Sequence, residues 1–238
     1  MLEISVSKSF NGFKVIDKVE FKVASGEFVC VVGESGCGKT TLLRIIAGLE
    51  SFEGEITYNG REINRKSIGF VFQDDRLLPW KTTIENVLFG IGIRKKIGEE
   101  DVELARRVLR DVGLRGFENH YPKELSGGMR QRVGLARAIV IQPEILLMDE
   151  PFSSLDEITR EKMQEELVEL WEKEKKTVIF VTHSIEEAVF LATRVVVLTP
   201  RPSRVAGEIV IDLARPRDRT SANFNRYKKE VLELLKLK

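Results

Sequence analysis

Eight residues, Gly33-Glu34-Ser35-Gly36-Cys37-Gly38-Lys39-Thr40, have the G-x-x-x-x-G-K-[ST] spacing of a phosphate-binding P-loop. Glycines let such a loop curl so that its N–H groups face phosphate oxygens, and the helix that follows adds partial positive charge. Lys39 is placed to reach the β- and γ-phosphates of a nucleotide, Thr40 to ligate Mg²⁺, and Thr41 continues the loop into a helix. Three further polar groups each follow a short apolar run: Gln73 after 68–72, Asp149-Glu150 after 145–148, and His183 after 178–182. Lys, Gln, Asp, Glu and His around a triphosphate are the parts of phosphoryl transfer. In that reading Asp149 and Gln73 assist Thr40 with Mg²⁺, Glu150 orients and deprotonates a water, and His183 contacts the γ-phosphate.

These residues act together only if strands deliver them to one edge. The continuous apolar runs 29–32, 145–148 and 178–181 read as parallel strands covered on both faces, and ligands of open α/β sheets sit at the carboxyl ends of such strands. Residues 3–7, 19–23, 27–32 and 68–72 also read as strands, and Asn59-Gly60 marks a tight hairpin. Residues 82–140 read as helical. Val102, Ala105, Val108, Leu109 and Val112 form one apolar face there, and Gly113 is placed to end that helix. A helix over about 157–174 puts Met163, Leu167, Leu170 and Trp171 on a core face, and Ser184-Ile185-Glu186-Glu187 has capping-box spacing. The expected fold is α/β, a P-loop NTPase parallel sheet with an N-terminal antiparallel part and an inserted helical lobe. It is one domain over 1–238, with a core of 1–81 and 141–200, a lobe of 82–140, and an extension of 201–238 packing on the core.

Composition narrows the setting. The 238 residues carry 38 Lys and Arg against 37 Asp and Glu, a net charge of +1, which gives no global pull toward nucleic acid. No run approaches the ~18 apolar residues of a membrane span, and the first ten residues lack a signal-peptide core. Cys30 and Cys37 fall in a strand and in the P-loop, which fits a reducing compartment. A thiol beside Lys39 at a helix N-terminus is expected to have a lowered pKa and to react with alkylating reagents unless nucleotide protects it.

Leu125-Ser126-Gly127-Gly128-Met129-Arg130-Gln131-Arg132 resembles the signature sequence of ATP-binding cassette (ABC) ATPases, with Met129 where Gln is usual. Ser126 can cap the following helix, and Gly127 and Gly128 leave its N–H groups exposed as a second anion site. The order P-loop, Gln73, signature, Asp149-Glu150, Ser154-Leu155-Asp156, His183 also matches that family over essentially residues 1–200. The resemblance implies ATP and Mg²⁺ as ligands. It also implies a homodimer in which Ser126, Gly127 and Gly128 of one chain close over ATP on the other, Asp156 links the two sites, and Phe10 stacks on adenine, with Phe13 the competing assignment.

Asp75-Arg76-Leu77-Leu78-Pro79-Trp80, with the tail segments Thr199–Arg204 and Asp212–Arg217, resembles the ATPases of nitrate, sulfonate and taurine importers. This implies a peripheral subunit on the cytoplasmic face of the membrane. It would dock on two integral membrane permease subunits, served by an extracytoplasmic solute-binding protein, with no nucleic-acid partner. Leu77, Leu78 and Trp80 either meet the permease or pack inside the lobe. The alternatives are an exporter ATPase, a non-transport ABC protein, and a P-loop kinase of a small metabolite, which the signature disfavours. Phe224, Tyr227, Val231 and Leu235 are expected to form a stripe packing on the parent domain.

Overall fold

The structure, a computed structural model, describes residues 1–236. Residues 237–238, the end of the expected extension, lie outside the described residues. In chain order the elements are β1 (Leu2–Phe10), β2 (Phe13–Val23), β3 (Phe28–Val32), α1 (Lys39–Ile46), β4 (Glu53–Tyr58), β5 (Arg61–Glu62), β6 (Ile68–Val71), α2 (Thr83–Gly92) and α3 (Glu99–Asp111). They continue with α4 (Gly127–Ile139), β7 (Ile145–Asp149), α5 (Glu157–Glu174), β8 (Thr177–Thr182), α6 (Ile185–Leu191), β9 (Arg194–Leu198), β10 (Val205–Val210) and α7 (Ala222–Leu235). The chain divides into two compact units. One comprises Met1–Arg65 with the chain from Lys175 on, and the other Lys66–Glu174.

The first unit holds an antiparallel sheet in the order β2-β1-β4-β5. Two Asn-Gly turns close its hairpins. Asn11 and Gly12 have φ of 48° and 83°, and Asn59 and Gly60 have 53° and 72°. Both central positions of each turn are left-handed, which is why Asn-Gly suits them. Only the second hairpin was expected, and β1 and β2 run on to the first turn, beyond the expected strands 3–7 and 19–23. In the same unit β3 lies between β8 and β9, parallel to both, and β10 adds antiparallel to β9. Every residue of β3 and β8 is buried, as the apolar run Phe28–Val32 and the apolar stretch 178–181 between Thr177 and Thr182 require.

The tail closes this unit. Phe224, Tyr227 and Val231 of α7 are buried, Leu235 is half-buried, and α7 packs on α6, β9 and β10. A second tie uses arginines. Arg217, buried, donates through Nη1 to the carbonyls of Val189, Phe190 and Ala192, and Arg215 donates to those of Phe190 and Leu191. These carbonyls end α6 and have no partner within the helix.

In the second unit β6 and β7 pair in parallel, with Val71 opposite Met148. Three helices, α2, α3 and α4, occupy 83–139. Thr82 and Glu85 form a capping box that starts α2. The α3 helix buries Ala105, Val108 and Leu109, and Gly113 at φ 72° ends it, with Leu114 N–H donating to Leu109 O. The α4 helix packs on α2, α3 and β6. Its approach to β6 is close: a side chain at Gly69 would begin 2.6 Å from Ala138 O. In α5, Met163, Leu167 and Trp171 are buried while Leu170 is only half-buried.

Candidate nucleotide-binding site

The first unit carries the P-loop. It leaves β3 at Val32 and enters α1 at Lys39, with Gly38 as N-cap. Gly36 and Gly38 have φ of 83° and 109°, a backbone path closed to most side chains. Glu34, Ser35 and Gly36 are exposed at the tip, while Gly33, Cys37, Gly38 and Lys39 are buried and Thr40 and Thr41 half-buried. Lys39 Nζ donates to Gly33 O at 2.7 Å and Glu34 O at 3.0 Å, so its charge is held against the loop it serves.

Cys37 departs from expectation. Its side chain is 2% exposed and turns under the loop, where a side chain at Gly33 would begin 2.6 Å from its Sγ. Burial pushes the Cys37 thiol up from its ordinary value, against the opposing pull of Lys39. The expected low-pKa, reactive thiol is therefore corrected: desolvation outweighs the nearby charge.

Phe10 and Phe13 face each other across the β1–β2 hairpin. Phe10 is 39% exposed, with Lys8 Nζ 4.6 Å from its ring centroid, whereas Phe13 is 80% exposed. His183 follows β8, exposed, just before Ser184, whose hydroxyl accepts from Glu187 N–H to cap α6. Arg201 is a residue that sequence reasoning missed. One guanidinium nitrogen stands 3.9 Å from where a side chain at Gly36 would begin. The loop carrying Arg201 is fixed by Ser203, which donates from N–H and Oγ to Val15 O and accepts from Asp17 N–H. The only sequence signal was the Pro-flanked segment Pro200-Arg201-Pro202.

The second unit carries the remaining polar groups. Asp149 ends β7 and is 5% exposed. Glu150, half-buried, has φ of 43°. A non-glycine residue held there stores about 1–3 kcal/mol of strain, a feature that clusters at functional sites. Gln73 is exposed after β6, its Nε2 3.5 Å from Ser153 Oγ. Ser126 caps α4 by accepting from Met129 N–H at 3.3 Å, and Gly127 is exposed beside it. Gly128 is tightly placed: a side chain there would begin 3.0 Å from Thr159 Cγ2. Asp156 accepts from Thr159 N–H at 3.0 Å, just before α5, and that bond holds its carboxyl below the usual range.

Among the described residues no cluster of three or more His, Cys, Asp or Glu could hold a metal by itself. Asp149 is a buried carboxylate, Thr40 a half-buried hydroxyl and Gln73 an exposed amide, each an oxygen donor of the kind Mg²⁺ takes. The curled P-loop, closed to side chains at Gly36 and Gly38, suits the phosphates themselves.

The profile of ABC transporters matches residues 16–153. The chain belongs to the ABC transporter ATP-binding family. It is 51% identical over 232 residues to an uncharacterized ABC transporter ATP-binding protein of Methanocaldococcus jannaschii, covering 95% of this chain and 87% of that protein. It is 44% identical to the aliphatic sulfonates import ATP-binding protein SsuB of Bacillus cereus, covering 95% and 90%. With the taurine import ATP-binding protein TauB of Rhizobium johnstonii it shares 51% identity, covering 84% and 78%. A dimeric structure of the ABC transporter cassette MJ0796 superposes on this ABC protein with a TM-score of 0.77 at 33% identity, covering 90% of this chain and all of that one. The same cassette in a post-hydrolysis state with ADP and Pi gives a TM-score of 0.76 at 32% identity.

Proposed function

We propose that this chain is the ATP-hydrolysing subunit of an ABC importer for a small sulfonate-like solute. The observation that carries the reading is similarity to sulfonate and taurine import subunits along 84–95% of the chain. Two copies sandwich two nucleotides and dock on two integral membrane permease subunits at the cytoplasmic face. An extracytoplasmic solute-binding protein delivers cargo to the permease.

In this reading the loop amides from Gly33 to Thr41, with Lys39, hold the β- and γ-phosphates. The Lys39 ammonium exchanges neutral carbonyls for anionic oxygens, which bind it more strongly. Arg201 adds a second cation at the loop tip. Mg²⁺ would be held by Thr40, Gln73 and Asp149, and supplies charge neutralisation at the β- and γ-oxygens. Glu150 orients the attacking water and accepts its proton. His183 holds the γ-phosphate and Phe10 stacks on adenine. Ser126, Gly127 and Gly128 present the exposed N-terminus of α4 to the nucleotide on the partner copy, and Asp156 carries the state of one site to the other.

Glu150→Gln keeps shape and removes the base. It is expected to bind ATP, lose turnover by about 10²–10⁴-fold, and accumulate as an ATP-bound dimer. Wild-type turnover in that variant would remove Glu150 from the mechanism. The tagged variant, captured with MgATP from detergent-solubilised native membranes, is expected to bring down a polytopic membrane protein in equal stoichiometry. Soluble partners alone would move the chain to the non-transport branch of the family.

A further inference from the structure

The chain after Gln73 is fastened to the signature helix by side chains bonded to its backbone. Gln131 on α4, 5% exposed, donates from Nε2 to Gln73 O at 3.0 Å. Arg137, one to two turns further on, donates to Asp75 O and Arg76 O, both at 2.8 Å. Arg130 closes the other end. Its Nε meets the Asp75 carboxylate at 2.8 Å and its Nη1 the Leu125 carbonyl at 2.9 Å, immediately before Ser126. Arg130, Gly134 and Arg137 fall at i, i+4 and i+7, one face of the helix. On that face a side chain at Gly134 would begin 3.7 Å from Asp75 O, so the strap lies against the helix.

The strap is held at its far end as well. Asn86 of α2, fully buried, accepts from Leu78 N–H at 2.8 Å and donates to the carbonyls of Leu78, Lys81 and Thr82. Bonds from side chain to backbone fix a main-chain path without constraining the strap's own side chains. Gln73 keeps its amide exposed while its carbonyl is pinned. Gln131 Oε1 is buried without a hydrogen-bond partner, so Gln131 sits there with an unsatisfied acceptor.

We infer that Gln131, supported by Arg137, is a positioning residue for Gln73. It makes the strap and α4 one rigid body, so that a shift of the signature end of α4 moves the Gln73 main chain with it. This rests on the proposed ATPase reading for its kinetic consequence, though the fastening stands on geometry alone. The position of Gln73 is then set by Gln131 and Arg137, not by the strap's own sequence.

The test uses Gln131→Leu, which keeps the volume and removes the donor, and Arg137→Gln, at a half-buried position where the fold is less at risk. Each is measured alone and combined with Gln73→Ala. In the wild-type background Gln131→Leu is expected to lower kcat about tenfold with KM for ATP changed by less than about twofold. In the Gln73→Ala background it is expected to add nothing, since neighbours acting through one another are non-additive. Hydrogen exchange of the peptide spanning 73–78 is expected to speed up in both single variants, whatever the activity. Equal losses with and without Gln73→Ala, or unchanged exchange over 73–78, would overturn the positioning role. A wild-type chain that hydrolyses no ATP would sink the proposed function, while the exchange experiment would still decide the fastening.

Discussion

Glu150 and Cys37 show how neighbouring atoms settle what a side chain can do. Glu150 occupies a left-handed backbone position that glycine would fill without strain. Asn11, Lys18, Asn59, Arg76, Gln142 and Lys175 share that backbone region, so the role given to Glu150 above rests on its place just after β7 and not on strain. Cys37 shows the opposite outcome. Its motif position puts Lys39 and a helix N-terminus close by, yet its thiol is buried beneath Gly33 and its pKa is raised. Cys30 is fully buried in β3 and its thiol is raised further, by desolvation first and by Glu187 second. Thiol titration of the native protein is therefore expected to find no fast-reacting cysteine with or without MgATP, and two in denaturant. A fast native thiol that nucleotide protects would restore the reactive reading of Cys37.

At the scale of elements, short helices are completed by groups far away in sequence. The seven-residue α6 begins on the Ser184 cap, and its last carbonyls are satisfied by Arg215 and Arg217 from the tail. Arg219 lies 3.7 Å over the Phe190 ring, and Lys228 pairs with Glu186, so the tail grips the same helix at further points. The arginines of Asp212–Arg217, which in sequence carried only a family resemblance, thus have a physical task. Arg217→Ala would leave several buried carbonyls unsatisfied, at about 1–3 kcal/mol for each group left unpaired. A loss of about 2–4 kcal/mol is expected, read as a lower Tm in a melt. Arg217→Lys is expected to recover little of it, because an ammonium cannot reproduce a planar fork. A wild-type melt for Arg217→Ala would show that the tail arginine is not needed for α6.

At the scale of the whole molecule, the question is what the exposed apolar surface meets. Among the described residues no helix is long and apolar enough to cross a membrane. Trp80 and Ile93 are each 70% exposed, and Leu88, Phe89, Ile93 and Ile97 line a groove of about 340 Å³ in the second unit. Leu77 and Leu78 are half-buried, which divides the segment between packing and surface. An apolar groove of this kind suits an amphipathic helix of a partner. Trp80→Ala is expected to reduce transport in membrane vesicles at least tenfold while the soluble ATPase rate stays within twofold. Surface substitutions usually change stability by no more than about 0.5 kcal/mol, so equal loss of both activities would mean that Trp80 serves the ATPase fold instead of docking.

The sequence by itself determined the parts whose physics is local. Glycine spacing wrote the P-loop, because left-handed backbone needs glycine at Gly36 and Gly38. Unbroken apolar runs wrote β3, β7 and β8, because a strand covered on both faces admits little else. Ser126 and Ser184 wrote two helix starts, and Gly113 one helix end. The Asn11-Gly12 hairpin was written locally as well, by strict alternation from Leu2 to Ser7 and an Asn-Gly pair, although the expected strands 3–7 and 19–23 stopped short of it. Tertiary structure decided what depends on partners distant in the chain. Arg201 beside the P-loop, Arg217 on the end of α6 and Gln131 on the strap after Gln73 were invisible. These contacts join residues from 25 to more than 100 positions apart, and an arginine or glutamine in sequence carries no sign of which carbonyl or loop it will reach. Cys37 was misread for the same reason: the sequence supplies the nearby charge, but only packing supplies the desolvation that outweighs it.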